Sequence, residues 1–527
     1  MKTPKVRIGH DDRFVTKTTG DLVTTGVFIT CRLSKHLLKN VLYYFLFSSL
    51  PLFLHPLIAN AQTGNFSATG SMVTTRAGHT ATLLSNGEVL MAGGCNTDCI
   101  YVAVASAELY NPAAGTFTAT GSMSATRFDG QTATLLANGK VLVAGGYSTN
   151  YVVAVPNAEL YDPATGTFSA AGPMNAVRYF HTATLLPNGK VLVAGGCLDT
   201  GGSCEMLASA ELYDPATGAF SATGTMSAGR GSATATLLHN GKVLVAGGAD
   251  FSSSVSLASA ELYDPATGTF STTGSMTTGR GSHSAALLPN GKVLVATGYD
   301  YFSSSTLLSA ELYDPVSGTF STTGSMTTGR IYQSAALLAN GEFLVVGGAG
   351  SSGPIASAEL FDPTTGAFSA TGSLITGRWS ATATLLPNGK ILVAGGKGDS
   401  VALASAELYT SAPKYEVCVL YDQTRSVKSG AVFPIKLYLC DTGGNDVSSS
   451  SIVLQATQIT GISSYSGPAE SPGNANPDND FRFDSTLGPA GGYIFNLGTS
   501  GLASGTYSLH FMATGDSGDH VVMFGVK

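Results

Sequence analysis

The sequence predicts an all-β protein, a seven-bladed β-propeller followed by a β-sandwich. Three observations predict it. A unit of about fifty residues recurs seven times through the middle of the chain, with the same turn signals between short apolar runs. Glycine is abundant, 65 of 527 residues, while charged residues are only 12%, against about 25% in an average globular chain. After residue 412 the period stops, but short alternating runs continue.

The chain opens on the layout of a secretory signal peptide. Lys2, Lys5, Arg7, Arg13, Lys17, Arg32, Lys35 and Lys39 precede an apolar run from Val41 to Ile58, and Ala59-Asn60-Ala61 follows it. The run has 18 residues and contains Pro51 and Pro56, which makes it short and interrupted for a membrane span. Cleavage after Ala61 is expected, giving a secreted or cell-surface protein with no membrane span. The long basic lead leaves the start codon open. Without residues 1–61 the chain keeps 19 basic and 31 acidic residues, a net charge of −12. Such an acidic chain offers no electrostatic footprint for nucleic acid or anionic membranes.

Six cysteines follow the leader, in close pairs: Cys95/Cys99, Cys197/Cys204 and Cys418/Cys440. Fifteen connectivities are open to six cysteines. Pairing of neighbours is the simplest, and an oxidising compartment lets it persist.

Residues 62–412 hold the repeats. The unit reads SAELYDPATGTFSATGSM, then Arg, then HTATLLPNGKVLVAGG. The second glycine of the closing pair falls at Gly94, Gly146, Gly196, Gly248, Gly298, Gly348 and Gly396, with spacings of 52, 50, 52, 50, 50 and 48. HTATLL reads as strand a. Asn-Gly follows in every copy and predicts a type I′ hairpin, which needs positive φ twice. KVLVAGG is a buried strand b and SAELY is strand c. Asp-Pro-x-x-Gly turns the chain into strand d, since Pro presets φ and Gly accepts the left-handed position.

The double glycine, the later tyrosine and the aromatic beyond it resemble the kelch motif, in its galactose-oxidase-type form. Tyr110, Tyr161, Tyr213, Tyr263, Tyr313 and Tyr409 fill the tyrosine place, with Phe361 once, and Phe stands where kelch repeats usually carry Trp. Thr297 replaces the first glycine in one copy. The resemblance implies four-stranded blades around an axis. The first d strand, around Phe66, precedes any complete blade and the last repeat lacks one, so the two are expected to join and close the ring.

The repeat sorts two faces. The a–b and c–d turns are uniform and share one face, while the b–c loops and d–a connections vary and share the other. Variable loops on a rigid scaffold are where binding residues tend to sit. Two charged residues recur in every copy and read as structural ion pairs. The arginines are Arg76, Arg127, Arg178, Arg230, Arg280, Arg330 and Arg378. The glutamates are Glu108, Glu159, Glu211, Glu261, Glu311, Glu359 and Glu407. After the arginine the symmetry breaks: Phe128-Asp129, Tyr179-Phe180, Ile331-Tyr332 and Trp379-Ser380 stand where two other copies have Gly231-Ser232 and Gly281-Ser282. The loops add Tyr147, Tyr151, Phe251, Tyr299, Tyr301 and Phe302. Aromatics beside acidic groups suit a glycan or a peptide, or they pack loops onto the scaffold.

Chemistry is sparse. His79, His181 and His283 share one slot at the start of strand a, occupied by Gln131, Ala233, Gln333 and Ala381 in the other copies. Spread around a ring, they do not predict a shared metal. No metalloprotease or phosphate-loop motif occurs, and no cofactor is expected. The galactose-oxidase resemblance implies copper held by two His and two Tyr, one of them cross-linked to Cys, and that constellation is not visible.

Residues 413–527 read as an immunoglobulin-like sandwich. Leu502-x-x-Gly505-x-Tyr507 resembles a tyrosine corner. Pro434-Ile435-Lys436-Leu437 is similar to the Pro-x-Lys-Phe strand of a bacterial immunoglobulin-like module. Asp478, Asp480 and Asp484 lie in a loop whose residues suit either turns or calcium. The expected function is non-catalytic binding of a glycan or extracellular protein by a monomer. A galactose-oxidase-like or carbohydrate-active enzyme and a purely structural envelope module are the alternatives.

Overall fold

The structure is a computed structural model, which describes residues 64–97, 102–148, 155–199, 204–251, 253–412, 415–420, 426–440, 445–450, 452–461, 466–468, 480–487, 489–500, 502–513, 516 and 520–527. The expected leader, Cys99, Tyr151 and Asp478 lie outside these residues. Every regular element among the described residues is a β-strand, so none of them forms a helix able to cross a membrane.

The repeats form seven four-stranded antiparallel sheets. In the first, Thr80–Leu83, Val89–Ala92, Ala107–Asn111 and Thr116–Ala119 lie side by side in chain order. The strand a segments are Thr80–Leu83, Phe128–Leu135, Thr182–Leu185, Thr234–Leu237, Ser284–Leu287, Ser334–Leu337 and Thr382–Leu385. Each touches the next, and the last touches the first. This closed cycle is a β-propeller. Its final sheet is completed by Asn65–Ala68, which pairs antiparallel with Ala406–Thr410, Phe66 opposite Tyr409.

The sequence explains the packing. Strand b is apolar throughout and buried throughout, as in Val191–Ala194. Strand a lies between the axis and strand b and is small and half-buried. Apolar side chains of each sheet meet the next sheet in one cluster. Leu84, Leu90 and Ala92, for example, pack on Met123, Val141, Val143 and Tyr161, and Leu386 and Leu392 pack on Val89 and Tyr110 across the closure.

The Asn-Gly turns differ from the expected type. Only the glycine has positive φ, +85° at Gly87 and +81° at Gly139. The turn is a four-residue one, with the Gly87 amide donating to Leu84 O at 2.9 Å and the Leu84 amide to Glu88 O at 2.8 Å, followed by the left-handed glycine. The asparagine is retained for its side chain: Asn138 Oδ1 accepts the Lys140 amide at 3.1 Å, which stabilises the turn without positive φ.

The C-terminal region holds two sheets. One orders Glu416–Val419, Val432–Cys440, Gly492–Gly498 and Arg482–Asp484; the other orders Ser426–Val427, His520–Val526, Gly505–Ala513, Leu454–Gly461 and Ser466–Pro468. Both face one core, where Ile435, Leu437, Tyr493 and Phe495 meet Leu454, Leu509, Phe511 and Phe524, so the region is a β-sandwich. Along Val432–Cys440 exposed and buried residues alternate, which places Pro434 and Lys436 outward and Ile435 and Leu437 inward. The Tyr507 hydroxyl donates to Ala503 O at 2.8 Å, four residues upstream. Cys418 and Cys440 are bonded, Cα atoms 6.0 Å apart, and join neighbouring strands of one sheet.

Candidate binding face and axial collar

Each repeated arginine is fully buried and clamps the d–a connection to its sheet. Arg178 Nη1 donates to Gly195 O at 2.8 Å and Ser209 O at 3.0 Å, and Nη2 reaches Glu211 Oε1 at 2.6 Å. Glu211 also accepts the amides of Asn175 and Ala176 at 2.6 and 3.1 Å. The same pair recurs in all seven sheets, from Arg76–Glu108 at 2.9 Å to Arg378–Glu407 at 2.8 Å. Burial pulls every guanidinium below its ordinary value, and the glutamate opposes that shift. These groups hold the chain, although Nε of Arg127, Arg230 and Arg280 has no hydrogen-bond partner among the described residues.

Immediately after each clamp one residue adopts the left-handed conformation. Gly78, Asp129, Phe180, Ser232, Ser282, Tyr332 and Ser380 have φ between 45° and 60°. Their backbones link sheet to sheet around the axis. The amide of Gly78 donates to Ser380 O at 2.9 Å, Asp129 to Gly78 O at 3.3 Å, Phe180 to Gly130 O at 3.1 Å, Ser232 to Phe180 O, Ser282 to Ser232 O and Ser380 to Tyr332 O, each of the last three at 2.9 Å. The remaining link is the Gln333 side-chain amide on Ser282 O at 3.2 Å. A collar of seven residues thus rings the mouth of the channel. Six of them are not glycine, although a left-handed L-residue costs roughly 1–2 kcal/mol.

The second sheet departs from the pattern. Elsewhere two residues separate the arginine from the first slot of strand a; here Phe128, Asp129 and Gly130 do. The extra residue forms a bulge between Phe128 and Gln131. Gly130 is required there, because a Cβ would run into the Phe180 amide nitrogen. The bulge delivers Asp129 to the collar. No hydrogen bond to its carboxylate forms among the described residues, and desolvation pushes it up to about 6. Burial raises the Tyr301 hydroxyl, and the charges of Tyr299 and Asp129 add to the shift.

The remaining expected face residues divide in two. Phe128, Tyr147 and Tyr179 are buried with Ala77, Cys95 and Cys197 under the loops; the Tyr147 and Tyr179 rings are 4.0 Å apart. They pack loops rather than offer surface, which corrects their place in the expected binding set. The chain of rings continues through Phe180, Phe251, Tyr301 and Tyr299. Tyr332 is different, 41% exposed, with Trp379 beside it at 5.6 Å and Lys397 Nζ 5.4 Å over the Trp379 ring. Phe302 projects alone at a loop tip, 85% exposed. Cys197 and Cys204 are bonded and staple one loop; Cys95 is also disulfide-bonded.

The shared histidine slot is a clasp between sheets. Nε2 of His79, His181 and His283 meets a threonine hydroxyl of the preceding sheet: Thr382 at 3.2 Å, Thr132 at 2.9 Å and Thr234 at 2.8 Å. Gln131 and Gln333 do the same, on Ala92 O at 2.9 Å and Ser284 Oγ at 2.9 Å. Burial pushes each imidazole down to about 3.

With this geometry established, residues 230–277 match the model of the Kelch motif. The chain carries a kelch motif. No functionally curated protein matches the sequence. Among solved structures, the kelch chain is similar to a fungal alcohol oxidase described as novel, with catalytic diversity among the AA5 family and in complex with copper. The identity is 17% and the TM-score 0.54, over 89% of this chain and 100% of the other. At that identity the likeness shows the fold. Among the described residues no three His, Cys, Asp or Glu side chains come together, the described cysteines are in disulfides, and His79, His181 and His283 are committed to threonines.

Sequence reasoning named Asp129 but missed the collar and the bulge. The signal was present as one extra residue between Arg127 and Gln131, and it acquires meaning only once the left-handed ring is seen.

Proposed function

We propose that the protein is an exported seven-bladed kelch propeller, residues 62–412, followed by an immunoglobulin-like module, residues 413–527, and that it binds a glycan or an extracellular protein through its loop face without catalysis. The observation that carries this reading is where the repeat varies. Turns on one face are uniform, with Lys140–Asp162, Lys190–Asp214, Lys242–Asp264 and Lys292–Asp314 pairs recurring at 3.0–3.3 Å. The other face departs from symmetry at the collar and at the accessible Tyr332–Trp379 pair. Tilted, half-open aromatics with polar neighbours suit a ligand with an apolar face and hydrogen-bonding edges. The Tyr507 hydroxyl bond to Ala503 supports the immunoglobulin-like reading of the second region. Disulfides agree with export. The test is a glycan array together with pull-downs from extracellular protein, using the mature chain and its Trp379→Ala variant. Binding weakened at least tenfold by the variant is expected; no binding by the wild type refutes the reading.

A second reading is an oxidase, favoured by the fold neighbour alone, and fold is a weak warrant for activity. Stoichiometric copper in purified protein, or a Tyr–Cys cross-link by mass spectrometry, would establish it over the binding reading.

A further inference from the structure

The uniform face carries a seam that breaks its own pattern. Between the fourth and fifth sheets lies a pocket of about 310 Å³, bordered by His239, Asn240, Asn290, Lys292, Asp314 and Val316. That volume is at the small end for small-molecule sites, about 300–1,000 Å³. Two departures from the repeat meet there. The residue before the turn asparagine is Ser85, Ala137, Pro187, Pro289, Ala339 or Pro387 in the other copies, and a histidine only at His239. Two residues after the Asp or Asn of the c–d turn, the other copies have Ala113, Ala164, Ala216, Ala266 and Thr364; here Val316 stands, 98% exposed. The imidazole lies over the seam: a Cβ at Gly291 would meet the His239 ring at 3.6 Å, as one at Gly241 would meet Pro187 at 3.7 Å.

The turn asparagine grips a carboxylate elsewhere in this chain. Asn86 Nδ2 donates to Glu88 Oε2 and Asn340 Nδ2 to Glu342 Oε2, both at 2.9 Å. At the seam the matching residue is Lys292. Asn290 Oδ1 accepts the Lys292 amide at 3.1 Å, and its Nδ2 has no hydrogen-bond partner among the described residues. The same amide is therefore placed to hold a carboxylate from outside the chain. Lys292 Nζ reaches Asp314 Oδ2 at 3.3 Å, the longest of the four Lys–Asp pairs, and an ammonium has two further donors.

We propose that this seam binds a monocarboxylate with a compact apolar body. Lys292 Nζ and Asn290 Nδ2 would hold the carboxylate, the imidazole N–H of His239 would add a donor, and Val316 would cover the apolar body. Charge selects a single carboxylate. Asp314 already offsets Lys292, and the chain without residues 1–61 carries −12, so a dianion would meet net repulsion. The site lies on the face opposite the variable loops and stands independently of the binding reading above. A free organic acid and the C-terminal residue of a peptide both present this chemistry.

The repeat supplies its own substitutions. Lys292→Glu copies Glu88 and Glu342 and puts an internal carboxylate on the Asn290 amide; His239→Pro copies Pro187; Val316→Ala copies Ala266. Lys190→Glu makes the first change at a turn outside the pocket. The mature chain and these four variants are titrated calorimetrically with phenylacetate, with neutral phenylacetamide, and with a tripeptide ending in Phe as its acid and as its amide. Melting temperature is read in parallel. Expected are saturable binding of at least one acid, at least tenfold weaker binding of the matching amide, and loss of binding in Lys292→Glu. His239→Pro and Val316→Ala should each weaken it at least threefold, and Lys190→Glu should leave it unchanged. Binding of phenylacetate as tight as that of the peptide acid supports a free organic acid as the ligand; binding of the peptide acid alone supports a chain terminus. No saturable binding of either acid, equal binding of an acid and its amide, or binding that survives Lys292→Glu overturns the proposal, whatever the loop face binds. If Lys292→Glu melts early, undiminished binding by both His239→Pro and Val316→Ala overturns it as well.

Discussion

Acid should open the ring through three histidines. His79, His181 and His283 are buried, and each is pushed down to about 3 by burial, with the positive charges of Arg76, Arg178 and Arg280 adding to the shift. In the unfolded chain they titrate near 6.5. A lowered folded value means that the unfolded state takes up the proton first. The neutral clasps therefore stabilise fully above pH 6.5, and that stability is lost as the pH falls below it. Each unit of pH costs about 1.4 kcal/mol per histidine until the folded value near 3 is reached. Between pH 7 and pH 5 the loss is about 2 kcal/mol per residue and about 6 kcal/mol for three. Gln131 and Gln333 show which residue can fill the slot without titrating. Urea unfolding of the wild type and of a triple His79→Gln, His181→Gln, His283→Gln variant, at pH 7 and pH 5, separates the clasp from carboxylate effects shared by both. The wild type should lose about 6 kcal/mol more than the variant over that range. Equal losses would refute the assignment of neutral, unprotonated clasps.

Other expectations follow from departures within the repeat. The Tyr213 hydroxyl is buried without a hydrogen-bond partner among the described residues, because Ala171 stands where Thr120 and Thr223 bond Tyr161 and Tyr263 at 2.9 Å; Ala171→Thr should add about 1 kcal/mol and raise the melting temperature. Thr297 holds φ of 64° in a glycine position, so Thr297→Gly should stabilise by roughly 1–2 kcal/mol in denaturant titration. Glu311→Ala would leave the buried Arg280 unpaired and should cost about 3–5 kcal/mol, a loss measurable by the same titration; a cost below about 1 kcal/mol would show that the clamp does not depend on its charge partner.

Much of the fold is legible in the sequence because the repeat writes it seven times. The order of the strands and the buried strand b follow from apolar period and turn residues alone, while most of the observed strands are shorter than the runs HTATLL, KVLVAGG and GTFSATGSM. The turn type did not follow: Asn-Gly permits positive φ twice, and the asparagine side chain instead caps a wider turn. The site was less legible for a different reason. Phe128, Tyr147 and Tyr179 sit on loops in the sequence, and only the stacking of three separate segments buries them. Asp129 looks like one acidic residue among several until the inserted Gly130 and the left-handed ring place it at the axis.

Closure by Asn65–Ala68 sets an order of assembly. This strand is synthesised first, yet its partner, Ala406–Thr410, comes more than three hundred residues later. The contact is among the most non-local the chain makes, and such contacts form late and slowly. Until then one strand waits and the outer edge of the last sheet, along Ala406–Thr410, stays open, so that edge is where a neighbouring chain could insert its own strand. His79 joins the first sheet to the last at the inner strands through Thr382, so mildly acidic conditions during folding weaken the second contact that holds the ring closed and favour strand exchange between molecules.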